Sequence, residues 1–170
     1  TEYPYRQDSY FYYLSGFTEP EAVMILDGAN RTSTLCCRPK DPDIETWVGF
    51  RYGPDLAAQV FGFDAACNIS EWQQRLQQHL SHAESIYALW QHDGVADNDI
   101  IGMWRKLCAD VAYRKIDGNI VTPAQTLGDL APILDEMRLI KDAHEIALLR
   151  TAGQLSAEAH NKAMQAACKG

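Results

Sequence analysis

Glu21-Ala22-Val23-Met24-Ile25-Leu26-Asp27-Gly28 and, just beyond, Thr32-Ser33-Thr34-Leu35-Cys36-Cys37 are the stretch on which the fold turns. Two short runs of strand-forming residues flank Asp-Gly, a pair suited to left-handed turn conformations, so the segment reads as a β-hairpin with a loop longer than two residues. Upstream, Tyr10-Phe11-Tyr12-Tyr13-Leu14 is dense in aromatics and stops at Ser15-Gly16. It reads as a further strand ending in a turn, which predicts three sequential, antiparallel strands near the start. Downstream, Arg38-Pro39-Lys40-Asp41-Pro42 ends the ladder, because each proline removes a backbone donor.

Beyond the hairpin the pattern alternates. Trp47-Val48-Gly49-Phe50-Arg51-Tyr52-Gly53 reads as an aromatic loop, and Pro54 opens a short helix to about Phe61. Ser70 with Gln73 makes a capping-box pattern ahead of Trp72, Leu76 and Leu80, an apolar stripe with one face on a sheet. Ile86 to Trp90 predicts a strand, and Asp93 to Asp99 an acidic loop. Ile100, Met103, Trp104, Leu107 and Val111 then follow helical periodicity. Gly118 to Pro123 reads as a short strand and Leu127 to Met137 as a helix. A final helix starts at Asp142, whose carboxylate can cap the amide of Glu145 while Glu145 reaches back. Its stripe of Ile146, Leu149, Ala152, Leu155, Ala159 and Ala163 suits close packing on another element. Strands and helices alternating after a meander predict an α/β sandwich: a mixed sheet flanked by helices.

The chain's 170 residues can fill one core, and 46% hydrophobic with 22% charged residues is ordinary for a globular protein. A net charge of −8 argues against nucleic acid as a partner, since phosphate binding draws on clustered Lys and Arg. No apolar run is long enough for a membrane span, and TEYPYRQDSY contains no apolar signal core. Cys36, Cys37, Cys67, Cys108 and Cys168 are odd in number and lack CxxC spacing. They read as buried thiols in a reducing, cytoplasmic setting, and Cys36 and Cys37 on a strand would face opposite ways.

Few residue groupings suggest chemistry. His79, His82 and Glu84 lack a completed ligand set such as HExxH and read as solvated polar residues. Asp93, Asp97 and Asp99 lack the spacing, glycine and terminal glutamate of a calcium loop. There is no G-x-S-x-G, Walker or Rossmann pattern. Trp47 stands apart because it lies among glycines and charges: it either covers the local core or forms one wall of a binding pocket or subunit contact. Arg51 is a candidate to hold a carboxylate, the alternative being an ordinary surface arginine.

Glu2-Tyr3-Pro4-Tyr5-Arg6-Gln7, the run from Phe11 to Ala22 (FYYLSGFTEPEA), Trp47-Val48-Gly49 and the junction from Glu136 to Arg150 together resemble the bacterial Xaa-Pro aminopeptidase (aminopeptidase P) family. The likeness runs in order along essentially the whole chain. It implies the creatinase/prolidase type of N-terminal domain at 1–137, lacking the family's usual first helix and strand. A hinge at 138–141 and the first helix of a pita-bread catalytic domain at 142–170 would follow. In that family two divalent metal ions, usually manganese, sit in the catalytic domain on two Asp, one His and two Glu. The resemblance gives those ligands no counterpart here, so no metal or catalytic residue is expected in this segment. Two divalent ions would lower the pKa of water and polarise the scissile carbonyl.

The implied role is therefore supporting. The segment would bind its own catalytic domain and identical subunits in a dimer or tetramer. Trp47, with Arg51 and Tyr52 beside it, would close a neighbouring subunit's pocket around a peptide with proline second. Tyr5 and Arg6 are assigned to structure before substrate. A catalytically inactive assembly domain, or the N-terminal domain of a prolidase or creatinase-like hydrolase, are the alternatives. Substrate choice would be set mainly by pocket residues outside this segment.

Overall fold

A computed structural model describes residues 5–90, 94–110, 115–116, 119–120 and 123–167. The chain divides into two compact units, Thr1–Ala131 and Pro132–Gly170.

The first unit opens with helix α1, Ser9–Ser15, where the aromatic content had predicted a strand. Caps at both ends override the β-propensity. The Asp8 carboxylate accepts from the amides of Tyr10 (2.9 Å) and Phe11 (3.0 Å), and Gly16, at φ 65°, donates its N–H to the carbonyl of Tyr12. Ser15 Oγ donates to the Phe11 carbonyl at 2.6 Å.

The hairpin is present as β1, Val23–Asp27, and β2, Thr32–Cys37, antiparallel with Val23 opposite Cys36 and Asp27 opposite Thr32. Asp27 builds the connecting loop. Its carboxylate accepts from the amides of Ala29 and Asn30 and from Asn30 Nδ2, and Arg31 closes the loop at φ 55°. His79 Nδ1 also lies 3.0 Å from Asp27 Oδ2. The histidine considered above for a metal instead ties a later helix to this turn.

These bonds, led by those from Asn30, hold the Asp27 carboxyl down to about 2. An unfolded aspartate titrates near pH 3.9, so the folded state favours the carboxylate, and its stabilisation, present above about pH 4, is lost as pH falls toward about 2. Asp27→Asn is expected to flatten the stability loss over that interval, measured as urea midpoints at stepped pH. Parallel wild-type and variant profiles would contradict this.

After β2 come α2, Pro42–Val48, and α3, Gly53–Phe61, then β3, Ala65–Asn68. β3 pairs parallel with β2, in the order β1-β2-β3, giving a mixed three-stranded sheet. Two consecutive antiparallel strands followed by a parallel third thus replace the predicted meander. Asp64 fixes the β2–β3 edge by accepting from Ser33 N (2.7 Å) and Oγ (2.8 Å), which lowers its own pKa. The sheet is covered on both faces. Leu35 and Cys37 pack with Phe17 and Ala57 on one side, while Cys36 meets Ile25 and Cys67 on the other, as alternation requires.

Asn68 caps a single 3₁₀ turn, Ile69–Glu71, that leads into α4, Trp72–Leu80. The Asn68 side chain accepts from Ser70 N and Oγ, so the predicted Ser70–Gln73 box does not form. Gln73 instead donates to Asp99 at 2.8 Å. The stripe on α4 is used as predicted: Trp72 and Leu76 cover the Cys36 side of the sheet, and Leu80 joins a further core.

That further core holds Leu80, Ile86, Leu107 and Ala124, with Ile100, Met103 and Trp104 around them. It is framed by β4, Ser85–Ala88, and α5, Gly94–Asp110, so most of the supposed acidic loop is helix. A two-residue pair follows, β5 at Lys115–Ile116 with β6 at Asn119–Ile120. Asp93, Val111, Gly118, Val121 and Thr122 lie outside the described residues. Residues 126–129, partly assigned above to a helix, form β7, Thr126–Asp129, parallel to β4. Gly128 and Asp129 are poor helix residues, and β4 offers the ladder. Trp90 Nε1 donates to the Gly128 carbonyl at 2.7 Å, and Trp104 Nε1 to that of Ala124 at 2.9 Å.

The Asp129 carboxylate then accepts from Ala131 N, starting α6, Ala131–Leu139, which crosses into the second unit. Lys141 donates to the carbonyls of Arg138 and Leu139 at its end. In the second unit the capping box is present: Glu145 N donates to Asp142 Oδ1 at 2.8 Å and Asp142 N to Glu145 Oε2 at 2.9 Å. It opens α7, Ala143–Ala166. Among the described residues no helix is long and apolar enough to cross a membrane.

Candidate functional site

Residues 38–53 display one segment outward from a rigid base. Asp41 accepts from the amides of Asp43 and Ile44 and Pro42 fills the first turn of α2, where its missing donor costs nothing. Gly49, at φ 87°, stops the helix. Trp47 therefore sits in the last turn of a short helix instead of on the loop its glycine neighbours predicted. Its side chain is 87% exposed, and Ile44, Val48 and Phe50 are also exposed. The outcome is an apolar patch on the surface.

The return stroke is pinned from beneath. Arg51 N donates to Glu45 Oε1 at 2.9 Å, Lys40 Nζ lies 3.5 Å from that same oxygen, and Lys40 Nζ donates to the Arg51 carbonyl at 3.4 Å. The Lys40 ammonium also stands 4.6 Å from the centre of the Phe50 ring. Tyr52 N donates to Glu19 Oε1 at 2.8 Å, and Gln7 Nε2 to the Glu19 carbonyl at 2.9 Å. Gly53 then passes so close to Lys40 that only a hydrogen fits.

The three residues singled out in the sequence part company here. Trp47 faces solvent, Arg51 is buried, and the half-buried Tyr52 ring packs edge-on against the exposed Phe50 and against Phe61 at the edge of the core. Beneath the segment Glu19 is also buried, and Glu19 Oε2, Arg38 Nε and Arg51 Nε lack a hydrogen-bond partner. Glu19, Lys40 and Glu45 are the residues that reasoning from sequence did not single out for the site. The only signal for Glu19 and Lys40 was charge beside proline, in Thr18-Glu19-Pro20 and Pro39-Lys40-Asp41-Pro42, and Glu45 carried none.

The arrangement suits binding more than bond-making. Burial, with the Glu19 charge adding to it, pushes the Cys37 thiol up to about 11, so it is no nucleophile at neutral pH. Among the described residues no three His, Cys, Asp or Glu side chains gather as a metal would require.

The aminopeptidase P N-terminal domain family matches residues 1–87. The chain is 39% identical to the Xaa-Pro aminopeptidase of Escherichia coli (strain K12) over 97% of its own length and 37% of that protein's. It is 36% identical to the Xaa-Pro aminopeptidase of Haemophilus influenzae over 96% of its length and 34% of that protein's. It thus spans about a third of the length of the curated relatives it matches. Among solved structures, proline aminopeptidase P II from Yersinia pestis aligns with a TM-score of 0.88 at 39% identity, covering 100% of this chain and 38% of that one. Zn-substituted E. coli aminopeptidase P in complex with product aligns at 0.86 and 38% identity, covering 98% of this chain and 37% of that one. Over half of the chain lies within the family's N-terminal domain, the predicted α/β architecture of a mixed sheet flanked by helices is its fold, and the chain belongs to the aminopeptidase P N-terminal domain family.

Proposed function

We propose that this chain is the N-terminal part of a metal-dependent Xaa-Pro aminopeptidase, a hydrolase that releases the first residue from peptides with proline second. The observation that carries the reading is identity to an Xaa-Pro aminopeptidase sustained over 97% of the chain. Residues 1–137 act as the N-terminal domain, 138–141 as the hinge, and 142–170 as the first helix of the catalytic domain. The divalent ions, of which manganese is the expected one, belong to that catalytic domain. No step of the chemistry is assigned to residues of this chain.

What the chain contributes is a wall. A largely exposed Trp47 among Ile44, Val48 and Phe50 supports a surface that meets an identical subunit and closes over its peptide, as an amphipathic aromatic can at low entropic cost. Arg51 and Tyr52, which lie inside the domain, serve this by holding the segment in place. In the complete enzyme Trp47→Ala is expected to lower kcat/KM for proline-second peptides by about tenfold, or about 1.4 kcal/mol, mainly through KM. Metal content is expected to stay at the wild-type level. Peptide kinetics indistinguishable from wild type would remove Trp47 from the pocket.

A further inference from the structure

Cys36 and Cys67 are register partners on the adjacent parallel strands β2 and β3, and their sulfurs lie 3.1 Å apart. Neighbouring strands run about 4.8 Å apart, within the roughly 4.4–6.8 Å between Cα atoms that a disulfide accepts. The pair is walled by Ile25, Val23, Ile69, Trp72 and Leu76. Cys36 is fully buried and Cys67 is 7% exposed. Cys37 lies on the opposite face of β2, in the Phe17 core, and does not compete for either sulfur.

We infer that Cys36 and Cys67 form a reversible dithiol–disulfide site, in which a small peroxide oxidises Cys67 and Cys36 resolves the product. Burial selects the oxidant class, since a bulky disulfide cannot reach either sulfur whereas hydrogen peroxide is little larger than water. The Cys67 sulfur attacks one peroxide oxygen, the O–O bond breaks, and sulfenic acid and one water form. The Cys36 sulfur then attacks the Cys67 sulfur and the S–O bond breaks. The departing hydroxide takes the Cys36 thiol proton as a second water. Two thiols are oxidised and one peroxide is reduced to two waters. Burial, with the Cys67 thiol beside it, raises the Cys36 pKa, so Cys36 is not the sulfur that meets peroxide; its place 3.1 Å from the Cys67 sulfur gives it the resolving role, its proton leaving with the departing hydroxide. The new bond would join the ends of the segment that carries Trp47, Arg51 and Tyr52.

The test is peptide mapping by mass spectrometry of the reduced protein after hydrogen peroxide, with remaining thiols alkylated in denaturant. The expected product is a Cys36–Cys67 linked peptide that has lost the mass of two hydrogens and is restored by dithiothreitol. With Cys36→Ala, Cys67 is expected to be trapped by dimedone as a sulfenic acid. With Cys67→Ala, Cys36 is expected to stay unmodified at the same peroxide dose. The wild-type map stands even if a variant fails to fold. Alkylation of both residues after peroxide, a link from either to Cys37 or Cys108, or Cys67 sulfinic acid without a link would each overturn the inference.

Discussion

Phe17→Ala is expected to destabilise the first unit by about 3–5 kcal/mol, the range for emptying a phenylalanine site in a packed core. Phe17 is fully buried between the Leu35–Cys37 face of the sheet and Ala57 of α3. Its ring meets Phe61 edge-on at 5.2 Å and Tyr52 at 6.3 Å. Each such aromatic pair adds about 0.5–1.5 kcal/mol beyond the area it buries. The cavity would lie against the Tyr52 ring, whose backbone N–H Glu19 holds, so collapse to fill it would move the segment carrying Trp47 as well. Tyr12→Ala, on the exposed side of α1, is the control, expected to change stability by less than about 0.5 kcal/mol. Denaturant midpoints at unchanged slope measure both. Equal midpoints for the two variants would contradict this account of the core.

Gly53→Ala is expected to cost about 2–4 kcal/mol, from two sources that can be separated. Gly53 sits at φ 68°, where a side chain is strained, and an added Cβ would stand 2.9 Å from Lys40 Cβ and 3.0 Å from Lys40 N. Neither is the free end of a flexible chain, so the backbone at Lys40 would have to yield. Gly62 has a similar φ of 74° with nothing within 4 Å of an added Cβ. Gly62→Ala therefore carries the strain alone, about 1 kcal/mol, and the difference between the variants reports the clash. Displacing Lys40 would also loosen its contacts with Glu45 and the Arg51 carbonyl. Equal losses in the two alanine variants would show that the 40–53 crossing is not the close approach described.

The elements legible in the sequence are those whose signals are local and redundant. The hairpin from Val23 to Cys37 combined strand formers with Asp-Gly, and α7 was announced by Asp142 and Glu145 at capping spacing. Misreadings came where a second signal outweighed the first. Four consecutive aromatics at 10–13 favour a strand, yet Asp8 and Gly16 cap both ends of one short helix. β3 is built from Ala65-Ala66-Cys67-Asn68, which has no strand propensity of its own and is defined by pairing with β2. β7 likewise depends on β4, to which only the fold brings it. At the candidate site, Trp47 stood out because no apolar periodicity absorbed it, and it is indeed exposed. The burial of Arg51 and the half-burial of Tyr52 were not legible, because the segment is held by Glu19, more than thirty residues earlier in the chain, accepting from the Tyr52 amide.

The proposal that this domain serves the removal of a residue ahead of proline is tested most directly by a matched pair of peptides. They differ only in having proline or alanine second, and are given to the complete protein that carries this chain with a divalent metal ion supplied. Release of the N-terminal amino acid is followed by chromatography. The account predicts release from the proline peptide and little from the alanine peptide. Equal release from both, or none from the proline peptide, would contradict it.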